Sequence, residues 1–356
     1  MYLFLFIFAA TLSVLYFDKE RLVIVFYMLI ALLVLFAGTR TADVSFDYDN
    51  YQYCFNTAIN ENYSDFFMQT GTELSAFIIP KFVHLFFYSE DDYIGITFVI
   101  FAFFGVYTKL KALQKADYFF LGVLLYVSNL YFGQEMITIR AGVASGIFLL
   151  SIEDIFNKND RRFFFKIFFA FLFHYSSILF IVIWAIIRFK VPLKSFFSAL
   201  IISIVIAIFK LNVLTLLLIN KIFPKVQLYL DMQDLAGGDK VNVFNFMAIF
   251  AILITVFFLF FINKLKDNYR FEVLYKIHIF SLIIFFSLSP VNMVFSLRSF
   301  ELLSVIQLFL YPMIITVIPQ KLKFIGFFTI VSFSILQFYY FIQYSNLFST
   351  YSSWIF

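Results

Sequence analysis

Long apolar runs broken by short polar stretches recur from one end of the chain to the other, and no segment reads as a soluble domain. A helix needs about 20 apolar residues to cross the hydrocarbon core, and its backbone polar groups must be satisfied within the segment, so each run predicts a membrane helix. The runs are Met1 to Phe17, Leu22 to Gly38, Tyr93 to Thr108, Tyr118 to Phe132, Ile137 to Phe156, Ser195 to Phe209, Phe244 to Ile262, Phe271 to Leu288, Arg298 to Ile318 and Phe324 to Phe348. The predicted class is an all-α polytopic membrane protein with about 10–12 transmembrane helices, including re-entrant or half-helices. A single transmembrane domain, 1–356, carries outer loops near 39–92 and 210–243.

The polar breaks at Asp18 to Arg21, Lys109 to Lys115, Asn157 to Arg162, Arg188 to Lys194, Asn263 to Arg270 and Pro319 to Lys323 are rich in Lys and Arg, which assigns them to the cytoplasm. Two cytoplasmic breaks must be joined by an even number of crossings. Phe163 to Ile187 is about one span long with basic breaks at both ends, so it predicts a hairpin of two half-helices with His174 near its tip. The alternative is a single crossing with one basic loop outside. Glu73 to Tyr88, followed by Glu90, Asp91 and Asp92, predicts a short re-entrant or surface helix on the outer side. The stretch from Lys210 through Phe223 to Asp239 predicts, in its second half, an amphipathic outer loop. Both termini come out extracytoplasmic.

Composition supports this reading: 63% of residues are hydrophobic and 13% charged, with a mean hydropathy of +0.94, which excludes a soluble fold. The run after Met1 lacks a basic n-region and reads as the first membrane helix rather than a signal peptide. Cys54 is the single cysteine and has no ligand-spaced partners, so neither a disulfide nor a metal site is expected. The net charge of +4 records cytoplasmic lysines and arginines, and nucleic acid is not implied.

On this topology three arginines stand at outer helix ends: Arg40 after the second helix, Arg140 opening a helix after Gly133 to Ile139, and Arg298 opening another after Ser289 to Leu297. A guanidinium is a rigid, permanently charged fork suited to phosphate oxygens, and a helix N-terminus adds unpaired N–H groups. One boundary arginine is more readily explained by snorkelling to lipid head groups, whereas three beside acids and aromatics point to an anion site. Asp43, Asp47 and Asp49 share the first outer loop with Tyr48, Tyr51 and Tyr53, a mixture of carboxylates and aromatic faces suited to sugars. Glu73 and His174 would be costly to bury unpaired. Gln134 and Glu135 read equally as a hydrated turn or as sugar contacts, and His84 and His278 as packing or surface residues.

These positions resemble the EpsG and Wzy group of bacterial polysaccharide polymerases. Arg40 with Asp47-Tyr48-Asp49-Asn50-Tyr51, Glu73 opening the next apolar segment, Arg140 before a small-residue run to Ser145, Phe173-His174-Tyr175-Ser176 and the late Arg298 carry the likeness. Ala141 departs from the glutamine that often follows the mid-chain arginine, and the spacing from Arg40 to Asp47 is slightly long. The resemblance implies a metal-independent, cofactor-free glycosyltransferase of the bacterial inner membrane, compatible with a GT-C-like architecture. It would join undecaprenyl-diphosphate-linked repeat units at the extracytoplasmic face, among membrane lipids and alongside a chain-length regulator and a repeat-unit flippase. Arg40, Arg140 and Arg298 would bind diphosphate, with Arg140 also acting in catalysis. Asp47, Glu73 and His174 are candidate bases, and Tyr48, Tyr51, Gln134 and Glu135 candidate sugar contacts. An O-antigen-ligase-like transferase would share the arginines and the histidine. A flippase would need polar residues along a transmembrane path, together with an internal repeat that is not evident.

Overall fold

The computed structural model describes residues 1–15, 19–213, 242–344 and 347–355. Nearly all of the described chain is helical, and its only β features are the isolated bridges Arg40 to Ser353 and Ser45 to Phe348. Five helices are long and apolar enough to cross a membrane: Glu20–Gly38, Glu90–Leu113, Tyr269–Leu288, Phe295–Val317 and Gln320–Tyr344, with shorter apolar helices between them. The protein is therefore an all-α polytopic membrane protein. Most of the proposed amphipathic loop after Lys210 falls outside the described residues.

The chain forms two compact units, Met1–Val182 with Ile318–Phe356, and Ile183–Val317. In the first, α1 (Tyr2–Val14) and α2 (Lys19–Gly38) lead to α3 (Tyr48–Asn60), α4 (Tyr63–Thr70) and α5 (Leu74–His84). The stretch read as an outer loop is thus mostly helix. At about 16 Å, α5 is too short to cross the core, as expected of a surface or re-entrant element. The long α6 (Glu90–Leu113) packs against α2 and against α8 (Ile139–Phe156), and α9 (Asp160–Phe173) packs on α8.

Two expectations are corrected in this unit. Lys109 does not begin a loop, because α6 continues to Leu113 and Lys109 is fully buried. The segment around Gln134 is no open turn either. After α7 (Phe119–Leu125) the chain continues through π-helical turns at Tyr126–Leu130 and Phe132–Ile137 and breaks only at Thr138, with Gln134 and Glu135 buried. The helix break expected near His174 is present: α9 stops at Phe173, His174 is extended (φ −156°, ψ 120°), and α10 (Ile178–Arg188) follows a single 3-10 turn.

The second unit is built around the helix Tyr269–Leu288, which packs against α11 (Leu193–Ile208), Phe246–Phe260 and Met293–Ser304. Asn292 caps the last of these by accepting from the Phe295 N–H at 2.8 Å, so Arg298 lies along that helix instead of opening it. His278 is buried in this unit, with Nε2 3.1 Å from the Ala251 carbonyl, which bears out its reading as a packing residue.

Candidate functional site

Glu73 is the hub of the first unit's polar cluster. It stands at the N-cap of α5 in extended geometry, which turns its side chain off the helix. One carboxylate oxygen accepts from Arg140 Nη1 in an ion pair. The other lies 2.9 Å from His174 Nδ1 and accepts the Tyr175 backbone N–H at 3.2 Å. Three sequence-distant elements therefore meet on one carboxylate: the start of α5, the first turn of α8 and the break between α9 and α10. Burial alone would raise the Glu73 pKa, but the His174 hydrogen bond and the Arg140 charge outweigh it and hold the carboxyl below its ordinary value.

That ionisation fixes the neighbouring imidazole. A carboxylate can only accept, so the proton of this contact sits on His174 Nδ1, and Nε2 is the ring nitrogen turned away from Glu73. Arg140 retains partial exposure, 19% for its side chain, while its Nε is buried with no partner among the described residues. Ser75 Oγ and Ser177 Oγ, close in sequence to Glu73 and His174, are likewise buried and unpartnered among the described residues. Arg140 Nε is thus an unused donor within the cluster. The sequence offered Ser176 as the serine next to the histidine, but the buried one is Ser177.

An aromatic wall connects this cluster to Arg40. The Arg140 guanidinium lies 5.6 Å from the Tyr51 ring centre and hydrogen-bonds the Tyr51 side chain. Tyr51 meets Phe98 edge-on at 6.1 Å, and Phe98 stacks on Tyr48 at 4.5 Å. The Arg40 guanidinium sits over Phe98 at 4.6 Å and over Tyr48 at 5.8 Å. α3 presents Tyr48 and Tyr51 on one face because they are three residues apart.

Arg40 itself faces inward. It is 1% exposed, donates from Nη1 to the Ala37 carbonyl at 2.5 Å and from Nε to Ser45 Oγ at 3.0 Å, and so closes the carbonyl end of α2, where a cation is favoured. Burial pulls its pKa down to about 10, still high enough to keep the charge at neutral pH. The expectation that it meets diphosphate directly does not fit a side chain so enclosed. Asp47 stands half-exposed at the N-cap of α3, with Asn50 donating to it at 3.4 Å. Asp43 and Asp49 are exposed.

Gln134 and Glu135, expected as sugar contacts, are instead enclosed. Gln134 Oε1 accepts from Ser145 Oγ at 2.9 Å, and Glu135 pairs with Lys109 at 2.6 Å. Arg298 is exposed in the second unit, close enough to Glu301 to act on its charge. Among the described residues no group of His, Cys, Asp and Glu has the makings of a metal site. Residues 23–353, nearly the whole chain, match the EpsG family. No curated protein and no solved structure matches the chain.

Proposed function

Because the chain belongs to the EpsG family, a Wzy-like polymerase family, we propose that it joins oligosaccharide repeat units carried on polyprenyl diphosphate, of the undecaprenyl class, at the extracytoplasmic face of the bacterial cytoplasmic membrane. The observation that carries the mechanism is the sharing of one carboxylate by Arg140 and His174.

Of the candidate bases, His174 fits best. Glu73 has its oxygens engaged by Arg140, His174 and the Tyr175 N–H, and a carboxylate of depressed pKa is a weak proton acceptor. His174 offers Nε2, the ring nitrogen not engaged by Glu73, and Glu73 orients the ring as an orienting carboxylate does in hydrolase triads. The acceptor sugar hydroxyl gives its proton to His174 Nε2 as its oxygen bonds to the anomeric carbon of the donor. The bond from that carbon to the diphosphate breaks, and the diphosphate leaves with the electron pair. Arg140 offsets the charge developing on it through donors not engaged by Glu73. Tyr48 and Tyr51 line the approach as aromatic faces, and Arg40 keeps that wall in place. Arg298, in the second unit, remains a proposed diphosphate-binding residue of that unit.

In a strain lacking the protein, single repeat units should replace long-chain polysaccharide. Complementation with His174→Gln should leave the protein inserted and the single units unextended. Long chains made by inserted His174→Gln protein would overturn this assignment of the base.

A further inference from the structure

In the first unit, α6 and α8 are joined by charges enclosed on every side. Lys109 of α6 and Glu135, just ahead of α8, both have fully buried side chains, with Nζ 2.6 Å from Oε1. The same oxygen accepts from the Tyr126 hydroxyl at 2.8 Å, and Lys109 Nζ makes a second bond of 2.6 Å to the Gly142 carbonyl. Two glycines make the room. A Cβ on Gly105 would collide with Glu135 Oε2, and one on Gly142 with the Gln134 carbonyl. These ties grip the chain on both sides of Arg140: at Gln134 and Glu135 before it, and at Gly142 and Ser145 after it.

A charge pair is not required simply to hold two membrane helices together, since close contact of small residues does that. Apolar side chains of similar volume would also avoid the desolvation cost of two ions. What an ammonium with two fixed acceptors supplies is register. A slip of one residue moves a helix by about 1.5 Å and turns it by about 100°, which would break both Lys109 bonds together. We infer that Lys109 and Glu135, with Tyr126, are positioning residues that set the register of α8 against α6 and so aim Arg140 at Glu73 and the departing diphosphate. This inference rests on the polymerase reading.

The test uses membranes of the deletion strain carrying each variant, with lipid-linked repeat units extracted from that strain as the substrate. Lys109→Met and Glu135→Leu are made singly and together. Each single variant strands a buried charge, whereas the pair removes both and should insert and resist heat like the parent. The paired variant should still polymerise about tenfold to a hundredfold more slowly at saturating repeat unit, as expected of a displaced catalytic group. Its half-saturating concentration should stay within about twofold, because the loss falls on the transition state. A stable paired variant with the parental rate overturns the inference. If the pair fails to insert, Tyr126→Phe decides, because it removes one bond to Glu135 and keeps both charges. A lower saturating rate supports positioning, and an unchanged rate overturns it. Long chains made by inserted His174→Gln protein would instead count against the assignment of the base, whatever the paired variant does.

Discussion

A carboxylate that accepts from an arginine, an imidazole and a peptide N–H does its work by holding partners. Glu73→Gln keeps the shape and removes the charge, leaving the half-buried Arg140 without its counter-ion. The expected cost is about 3–5 kcal/mol, read as a lower unfolding temperature in detergent, together with loss of polymer. The pH dependence has a definite sign. Since the folded state holds Glu73 below its ordinary value, its stabilising contribution is complete above about pH 4.3 and disappears as pH falls through the lower folded value. Thermal melts between neutral and acid pH should fall more steeply for the parent than for Glu73→Gln, and equal slopes would contradict the pairing. Glu73, Arg140 and His174 could be read from sequence because an ionisable residue inside apolar sequence needs a partner. Their assembly on one carboxylate could not, because the partners are 67 and 101 positions from Glu73. Gln134 and Glu135 misled for the opposite reason: Gly-Gln-Glu after an aromatic run reads as a hydrated turn when the Lys109 that neutralises Glu135 lies 26 residues away.

Among the elements, α6 organises the site. It carries Phe98 for the aromatic wall, Gly105 and Lys109 for the grip on α8, and Val99 for the contact with α2. Gly38 ends α2 so close to α6 that an added Cβ would lie 2.6 Å from the Val99 Cα, a backbone atom that cannot move aside alone. Gly38→Val should therefore destabilise the protein by about 1–3 kcal/mol and reduce polymer, checked by thermal unfolding and by the chain-length ladder. The sequence made the length of α2 and the shortness of α5 legible through hydropathy. It hid α3 and α4, whose amphipathic faces mix Asp, Asn and Tyr in the manner of a loop. It also hid the π-helical turns, since aromatic residues continue through Tyr126 to Phe132 without a change of pattern.

On the scale of the molecule, the two chain segments of the first unit close on each other. Residues 347–355 lie along the loop that follows α2: Thr41 donates to the Ser352 carbonyl at 3.2 Å, Ser349 to Val44 at 3.3 Å and Trp354 to Thr39 at 3.0 Å. Tyr351 stacks on Phe36 at 4.0 Å, and the Trp354 indole lies against Gly95, where a Cβ would come within 3.0 Å of it. Trp354→Ala should loosen the seat of Arg40, and a chain ending before Leu347 should insert yet make little or no polymer. Protease accessibility of the 39–47 loop in spheroplasts would show whether the loop has come free; unchanged protection would argue against the strap. Hydropathy could not reveal this pairing, because an extended polar-aromatic tail carries no helical period.

That closure also orders events during synthesis. Thr39 bonds to Ser353 across 314 positions, so the loop bearing Arg40 cannot take its final form until the chain has been made through Ser353. Until then the early helices wait with Arg40 not yet housed, and a chain stalled before Leu347 is left in that state. Chains ending before Leu347 should therefore be cleared by membrane proteases faster than His174 variants that keep residues 347–355. The seating of Arg40 would then report that the segment 347–355 has been made and has docked.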